Sequence, residues 1–139
     1  MNHLKKKITR DLEKTRVLIL DAAAQEFAEF RMNGARVDRI AMRASVNKAM
    51  IYYIFTSKEE LYIKVLEKLF EEKTRGIDPP PHDITLSQLV GNYFDAFVRN
   101  PNIVRMLIHD IASGADTLRK LKKRRGDLFE PFSMVRTLL

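Results

Sequence analysis

Cysteine is absent from the 139 residues, and glycine and proline occur only five times each. The first absence excludes disulfide scaffolds, thiolate zinc sites and cysteine nucleophiles together. The glycines are isolated, so no phosphate-cradling loop can be drawn from them. His3, His82 and His109 are far apart, and none forms the i, i+4 pair of a helical zinc site. Adjacent Glu59 and Glu60 are explained by helix capping and dipole compensation rather than by acid–base chemistry. No enzyme activity, cofactor or metal is therefore expected. No apolar run is long enough to span a bilayer. The N-terminal MNHLKKKITR lacks the apolar core and small-residue cleavage site of a secretory signal. A cytoplasmic protein without a membrane partner is the plain expectation. Strand-length alternation and glycine-bounded hairpins are also missing, which leaves an all-α fold.

What is present is positive charge. Lysine and arginine number 25 against 18 acidic residues, a formal net charge of +7. Such an excess points to an anionic partner, although charge alone does not choose between DNA, RNA and an anionic membrane. The first helix is expected to run to about Phe30, with Leu12, Ile19, Ala23, Phe27 and Phe30 on one broad face. Its opening turns, with Lys5, Lys6, Lys7 and Arg10, are expected to be frayed or extended, a flexible arm able to follow a phosphate backbone. Gly34 is the expected left-handed C-cap.

The stretch from Arg36 to Leu61 organises the rest. Val37, Ile40 and Ala41 recur at helical spacing, and Asp38 sits in the first turn, where its charge offsets the helix dipole. Ala44, Ser45 and Val46 form a turn of the length found in a helix-turn-helix. Asn47 supplies an N-cap for a second short helix carrying Lys48, Ala49, Met50, Ile51, Tyr52 and Tyr53. Ser57, with Glu60 three residues on, makes a capping box for a third helix running to about Arg75. Ile51 and Phe55 are core by default. Tyr52 and Tyr53 point about one hundred degrees apart, so one can be buried while the other is exposed.

The entry helix TRVLILDAAAQEFAEF, the segment RIAMRASVNKAMIYYIF and the SKEEL that follows resemble the DNA-binding region of tetracycline-repressor-like (TetR family) transcriptional regulators. The chain departs from the family pattern at the start of the first short helix, where Ala35 and Arg36 replace a small hydroxyl residue. It also carries Ser45 where the turn usually has glycine. The resemblance implies a three-helix DNA-binding domain over residues 1–55 and a helical regulatory domain over 56–139. Lys48, Ala49, Met50 and Tyr52 are the implied groove-facing residues. Tyr52, Tyr53 and Lys58 are similar in position to family residues that anchor phosphates, and Arg36, Arg39 and Arg43 add charge nearby. A homodimer on a pseudo-palindromic operator in double-stranded DNA follows, most naturally a repressor released by a small hydrophobic ligand.

Beyond residue 75, GIDPPPHD breaks the helical pattern and is expected to be a stiff spacer. Thr85 and Gln88 open a helix bearing Leu86, Leu89, Val90, Tyr93, Phe94 and Phe97. Asn100-Pro101 opens the next, with Ile103, Met106, Leu107 and Ile111 on its apolar side. Tyr93, Phe94, Phe97, Met106 and His109 are the expected lining of an apolar ligand pocket, or simply the filling of this domain's core. Leu118, Leu121, Leu128, Phe132, Val135 and Leu139 continue a stripe interrupted by Arg125 and kinked at Pro131. The stripe is still running at Leu139, and the resemblance implies further helices, so the regulatory domain reads as incomplete. The basic run Arg119 to Arg125 reads as a solvated helix face. Two other classes use the same charge: an RNA- or membrane-surface helix, and a helical protein-interaction bundle.

Overall fold

A computed structural model describes residues 1–74 and 85–130. All regular structure among them is helical. The order is α1 (Asn2–Gly34), α2 (Val37–Ala44), α3 (Lys48–Phe55), α4 (Lys58–Thr74), α5 (Leu86–Val98), α6 (Pro101–Ala112) and α7 (Asp116–Arg124), followed by a short 3₁₀ turn at Gly126–Phe129. The spacer Gly76–Asp83 and the residues from Pro131 onward, with Phe132, Val135 and Leu139 of the expected stripe, lie outside the described residues. The chain divides into two compact units, Met1–Val65 and Leu66–Leu139.

In the first unit, helical spacing places Ile19, Ala23 and Phe27 of α1 on one face, and all three are fully buried. They share a core with Ile40 of α2, Ile51 and Phe55 of α3, and Leu61, Tyr62 and Val65 of α4. Phe27 meets Tyr62 edge to face, with ring centres 4.9 Å apart, a geometry aromatic quadrupoles favour. These α4 side chains carry the unit past the boundary expected after Phe55. The start of α1 also differs from expectation: it is helical from Asn2, although its side chains are solvent-exposed as far as Asp11 apart from Asn2, whose side chain is not described.

The exit of α1 is corrected as well. Gly34 is not left-handed; the positive φ belongs to Arg31 (φ 62°, ψ 177°), where the helix kinks, and Ala35 closes the turn by donating its N–H to the Arg31 carbonyl at 3.0 Å. A Cβ on Gly34 would meet only the Phe30 Cβ at 3.5 Å, an ordinary contact. The chain has thus placed its backbone strain on an exposed arginine three residues before the glycine.

In the second unit the expected capping box is complete. Gln88 donates its N–H to Thr85 Oγ1 at 3.3 Å, and the Thr85 N–H reaches Gln88 Oε1 at 2.9 Å. Pro101 occupies the first turn of α6, where its missing N–H costs nothing. Ile103 and Met106 of α6, Leu121 of α7 and Leu128 of the 3₁₀ turn are buried. Helix α7 ends at Arg124 instead of running on to Leu128. Arg125 explains the break in the apolar stripe: its guanidinium reaches Glu67 and Glu71 of α4, each at 2.7 Å, and Asp127 at 2.8 Å. These carboxylates hold the Arg125 guanidinium above its already high pKa, Asp127 contributing most, while Arg125 in turn holds Asp127 below the usual carboxylate range. Phe129 then lies against Phe70 with ring centres 5.2 Å apart.

Candidate nucleic-acid interface

The turn between α2 and α3 is built as the sequence predicts. Ser45 adopts the left-handed conformation (φ 55°, ψ 41°) that glycine would take more easily, at a cost of roughly 1 kcal/mol. Its N–H still closes the helix end, bonding to the Met42 carbonyl at 3.2 Å. Asn47 Oδ1 then accepts from the Met50 N–H at 2.7 Å, satisfying one of the open donors of α3. Ser57 Oγ accepts from the Glu60 N–H at 3.0 Å, half of the expected capping box.

The start of α2 depends on a residue that the local sequence pattern did not single out. Arg36 makes no side-chain cap. Its N–H instead goes to Glu26 Oε1 at 3.0 Å, and Glu26 is a fully buried carboxylate of α1. The same oxygen accepts from Arg39 Nε at 2.7 Å, and Arg43 approaches the other oxygen at 3.8 Å. Arg39 also donates to the Gly34 carbonyl at 2.8 Å and lies over the Phe30 ring at 4.1 Å. Glu26 therefore holds the head of α2 from another helix, taking the N–H of its N-cap residue as the acid of a local capping box would. Arg39 and Arg43 are thereby tied to α1. A glutamate on the apolar side of α1, beside Phe27, was the available signal.

These contacts fix the orientation of α3. Ile51 and Phe55 point into the core, with Arg16 of α1 over the Phe55 ring at 5.0 Å. Lys48 and Ala49 are exposed, Met50 is half-buried, and both tyrosines are open, Tyr52 at 41% and Tyr53 at 74%. Arg36 stands in solvent at the head of α2. Lys58, in the first turn of α4, is half-buried and donates to the Ala35 carbonyl at 3.3 Å. One short helix thus presents a lysine, a small residue and two tyrosines on the surface of the first unit, with cations before and after it.

The expected ligand residues are distributed differently. Phe94, Phe97, Val98, Pro101, Val104, Arg105, Leu107 and Ile108 line an open, mostly apolar groove of about 510 Å³ between α5 and α6. Phe94 and Phe97 belong to it. Met106 does not, being fully buried between the lining positions Arg105 and Leu107 in sequence but on another side of the helix, and His109, half-buried, is not part of the lining either. Both are turned away because α6 presents positions 104, 105, 107 and 108 to the groove. The Tyr93 side chain lies outside the described residues. Among the described residues no cluster of three histidine or acidic side chains is arranged to hold a metal, and no helix is long and apolar enough to cross a membrane.

By its architecture this is a helix-turn-helix protein. Residues 19–65 match the family described as bacterial regulatory proteins, tetR family. The chain is similar to the HTH-type transcriptional repressor SCO4008 of Streptomyces coelicolor, 37% identical over 98 residues, which cover 70% of this chain and 50% of that one. It is also similar to the HTH-type transcriptional repressor NicS of Pseudomonas putida, 32% identical over 133 residues, covering 91% of this chain and 62% of that protein. Among solved structures, a linker-substituted form of HlyIIR superimposes with a TM-score of 0.65 at 30% identity, covering 88% of this chain and 68% of that one. HlyIIR itself is described as a hemolysin II transcriptional regulator. The chain belongs to the tetR family. It spans 50% to 62% of the length of the curated relatives named here.

Proposed function

We propose that this protein is a transcriptional regulator that reads a sequence in double-stranded DNA through α3. The observation that carries the reading is the division of α3 into a buried side, Ile51 and Phe55, and an exposed side, Lys48, Ala49, Tyr52 and Tyr53. A helix of this width enters the major groove, where lysine donates to guanine acceptors and small or apolar side chains meet thymine methyl groups. Arg36, Lys58 and the tyrosine hydroxyls supply phosphate contacts, which set position and carry no sequence information. A homodimer places two such helices about one helical turn apart on a pseudo-palindromic operator. The repressors among its relatives favour repression as the outcome.

The groove between α5 and α6 supports a small hydrophobic ligand as the releasing signal. Among the described residues Arg105 is the one charged side chain in its lining, so an apolar molecule carrying an acidic group suits it best. Such a ligand acts only by the difference in its affinity for the DNA-bound and released arrangements. Exposed Val90, Phe94 and Val98 at four-residue steps along α5 also support association with a second copy.

The test is duplex binding against salt, with a scrambled duplex, an RNA hairpin and anionic vesicles as competitors. Lys58→Ala is expected to weaken all duplexes alike and to flatten the salt slope by about 0.9. Lys48→Ala is expected chiefly to erode discrimination between specific and scrambled duplex. Equal behaviour of the two variants on both duplexes overturns the readout role of Lys48, and preferential displacement by the hairpin or vesicles overturns the DNA reading.

A further inference from the structure

Asp38, in the first turn of α2, stands between two cations of the proposed interface. Its Oδ1 lies 3.0 Å from Lys48 Nζ on α3, and its Oδ2 lies 3.8 Å from a guanidinium nitrogen of Arg36. The three side chains are well exposed, Asp38 at 56%, Lys48 at 51% and Arg36 at 66%. Ion pairs this open to water add little to folding stability. The dipole of α2 calls for an acid in its first turn but not for one that reaches across to the next helix. What the pair decides is the position of the Lys48 ammonium and the charge it shows to an approaching duplex.

Lysine is a compact charge on a flexible stem with three donors and no preferred direction. Left to itself it seeks the nearest phosphate and adds affinity for any sequence. Held by Asp38, it has one donor engaged and two open, and its charge is partly offset. A phosphate then attracts it less, while a guanine edge can still accept its hydrogen bond. The carboxylate suits this role because the hydrogen bond from Lys48, and then its charge, hold Asp38 below the usual carboxylate range, so it stays ionised at neutral pH.

We propose that Asp38 is a specificity-determining residue that holds Lys48 across the α2–α3 turn, directing it to base edges and screening it from phosphates. This rests on the reading of α3 as the DNA-contacting helix.

The experiment uses the full chain. A preferred duplex is selected from a randomised pool with the unaltered protein, then compared with its shuffled form across a salt series for Asp38→Asn, Asp38→Glu, Lys48→Ala and the Asp38→Asn/Lys48→Ala pair, with helix content checked by circular dichroism. Asp38→Asn is expected to bind the shuffled duplex more tightly, with a salt slope steeper by about 0.9, and to lower the selected-to-shuffled ratio about tenfold. In the Lys48→Ala background the same change is expected to leave that ratio untouched, the signature of a coupled pair. Asp38→Glu keeps the charge but displaces it, so it is expected to keep the shallow slope and lose part of the ratio. An unchanged ratio in Asp38→Asn, or the same drop with and without Lys48, overturns the assignment to Asp38 while leaving DNA reading by α3 intact. Failure of the unaltered protein to select any sequence overturns that reading and this one with it.

Discussion

The two units of the chain meet one structural problem in related ways and then diverge. In each, a short helix begins at a residue with no side chain suited to capping it: Arg36 before α2, and Ala115 before α7. In each, a buried carboxylate of the preceding helix fills the gap. The donors differ: Glu26 takes the N–H of Arg36, the residue just before α2, at 3.0 Å, whereas Asp110 of α6 takes the N–H of Leu118, in the first turn of α7, at 3.0 Å. Capping from a neighbouring helix ties helix formation to tertiary packing, because the short helix gains its partner only when the two are docked. The divergence lies in what is left outside. The first unit buries Phe27, Phe55 and Tyr62 and exposes Tyr52 and Tyr53 among basic residues, whereas α5 and α6 leave Phe94, Val98 and Ile108 in solvent around a groove. The contrast separates a unit that gathers most of its apolar side chains into one core from one that leaves several in solvent.

Truncating an aromatic in each unit sharpens that contrast most. Phe27→Ala removes a fully buried ring from the first core and is expected to cost about 4 kcal/mol in urea denaturation. Phe94→Ala is expected to stay within about 0.5 kcal/mol, while reducing uptake of an apolar fluorescent probe. A large loss from Phe94→Ala would mean that the groove is core and would undo the comparison. Next come the capping carboxylates. Glu26→Ala strands the Arg36 N–H and removes the carboxylate partner of Arg39, and is expected to cost about 3 kcal/mol, with Glu26→Gln recovering part. Asp110→Ala loses a single capping bond and is expected to cost about 1 kcal/mol by the same measurement. Equal costs would show that the two devices are equivalent in spite of their different partners.

Backbone changes are expected to have smaller effects and the opposite sign. Arg31→Gly, at φ 62°, and Ser45→Gly, at φ 55°, relieve left-handed strain. Each is expected to raise stability by about 0.5 to 1 kcal/mol after the greater freedom of glycine in the unfolded chain is counted. A loss in either thermal midpoint would contradict the strained geometry. The smallest effect is in acid. Asp38 is held down chiefly by Lys48, and Asp127 chiefly by Arg125. A carboxylate whose folded pKa is depressed adds stability above its unfolded value, about 3.9, and loses it as pH falls through the folded value. These two contributions should therefore be constant from about pH 5 to 8 and fade only below about pH 4. Arg125→Ala should remove the Asp127 part, seen as a shallower acid slope in stability.

Periodicity and capping chemistry made the helices legible. Asn47, Ser57 and Thr85 state their roles within three or four residues, and Ile19, Ala23 and Phe27 announce a buried face by spacing alone. The helix-turn-helix could be read for the same reason, since its signals lie close together in the chain, between Arg36 and Leu61. Sequence also determined that α3 carries Lys48 beside two tyrosines, and that apolar side chains crowd α5 and α6. It did not determine which of those apolar residues face outward. Met106 and Phe94 look alike in a pattern of apolar positions, yet one is buried and the other stands 66% exposed.

Long-range partners were decided by the tertiary structure alone. Glu26 lies ten residues from Arg36, Arg125 lies more than fifty from Glu67 and Glu71, and Asp38 meets Lys48 only after the turn at Ser45 has folded α3 back on α2. A charged side chain on a helix specifies that it needs a partner, because a buried charge is costly until it is paired. Which partner it finds depends on how the helices dock, and that is a property of the packed chain rather than of any local pattern within it.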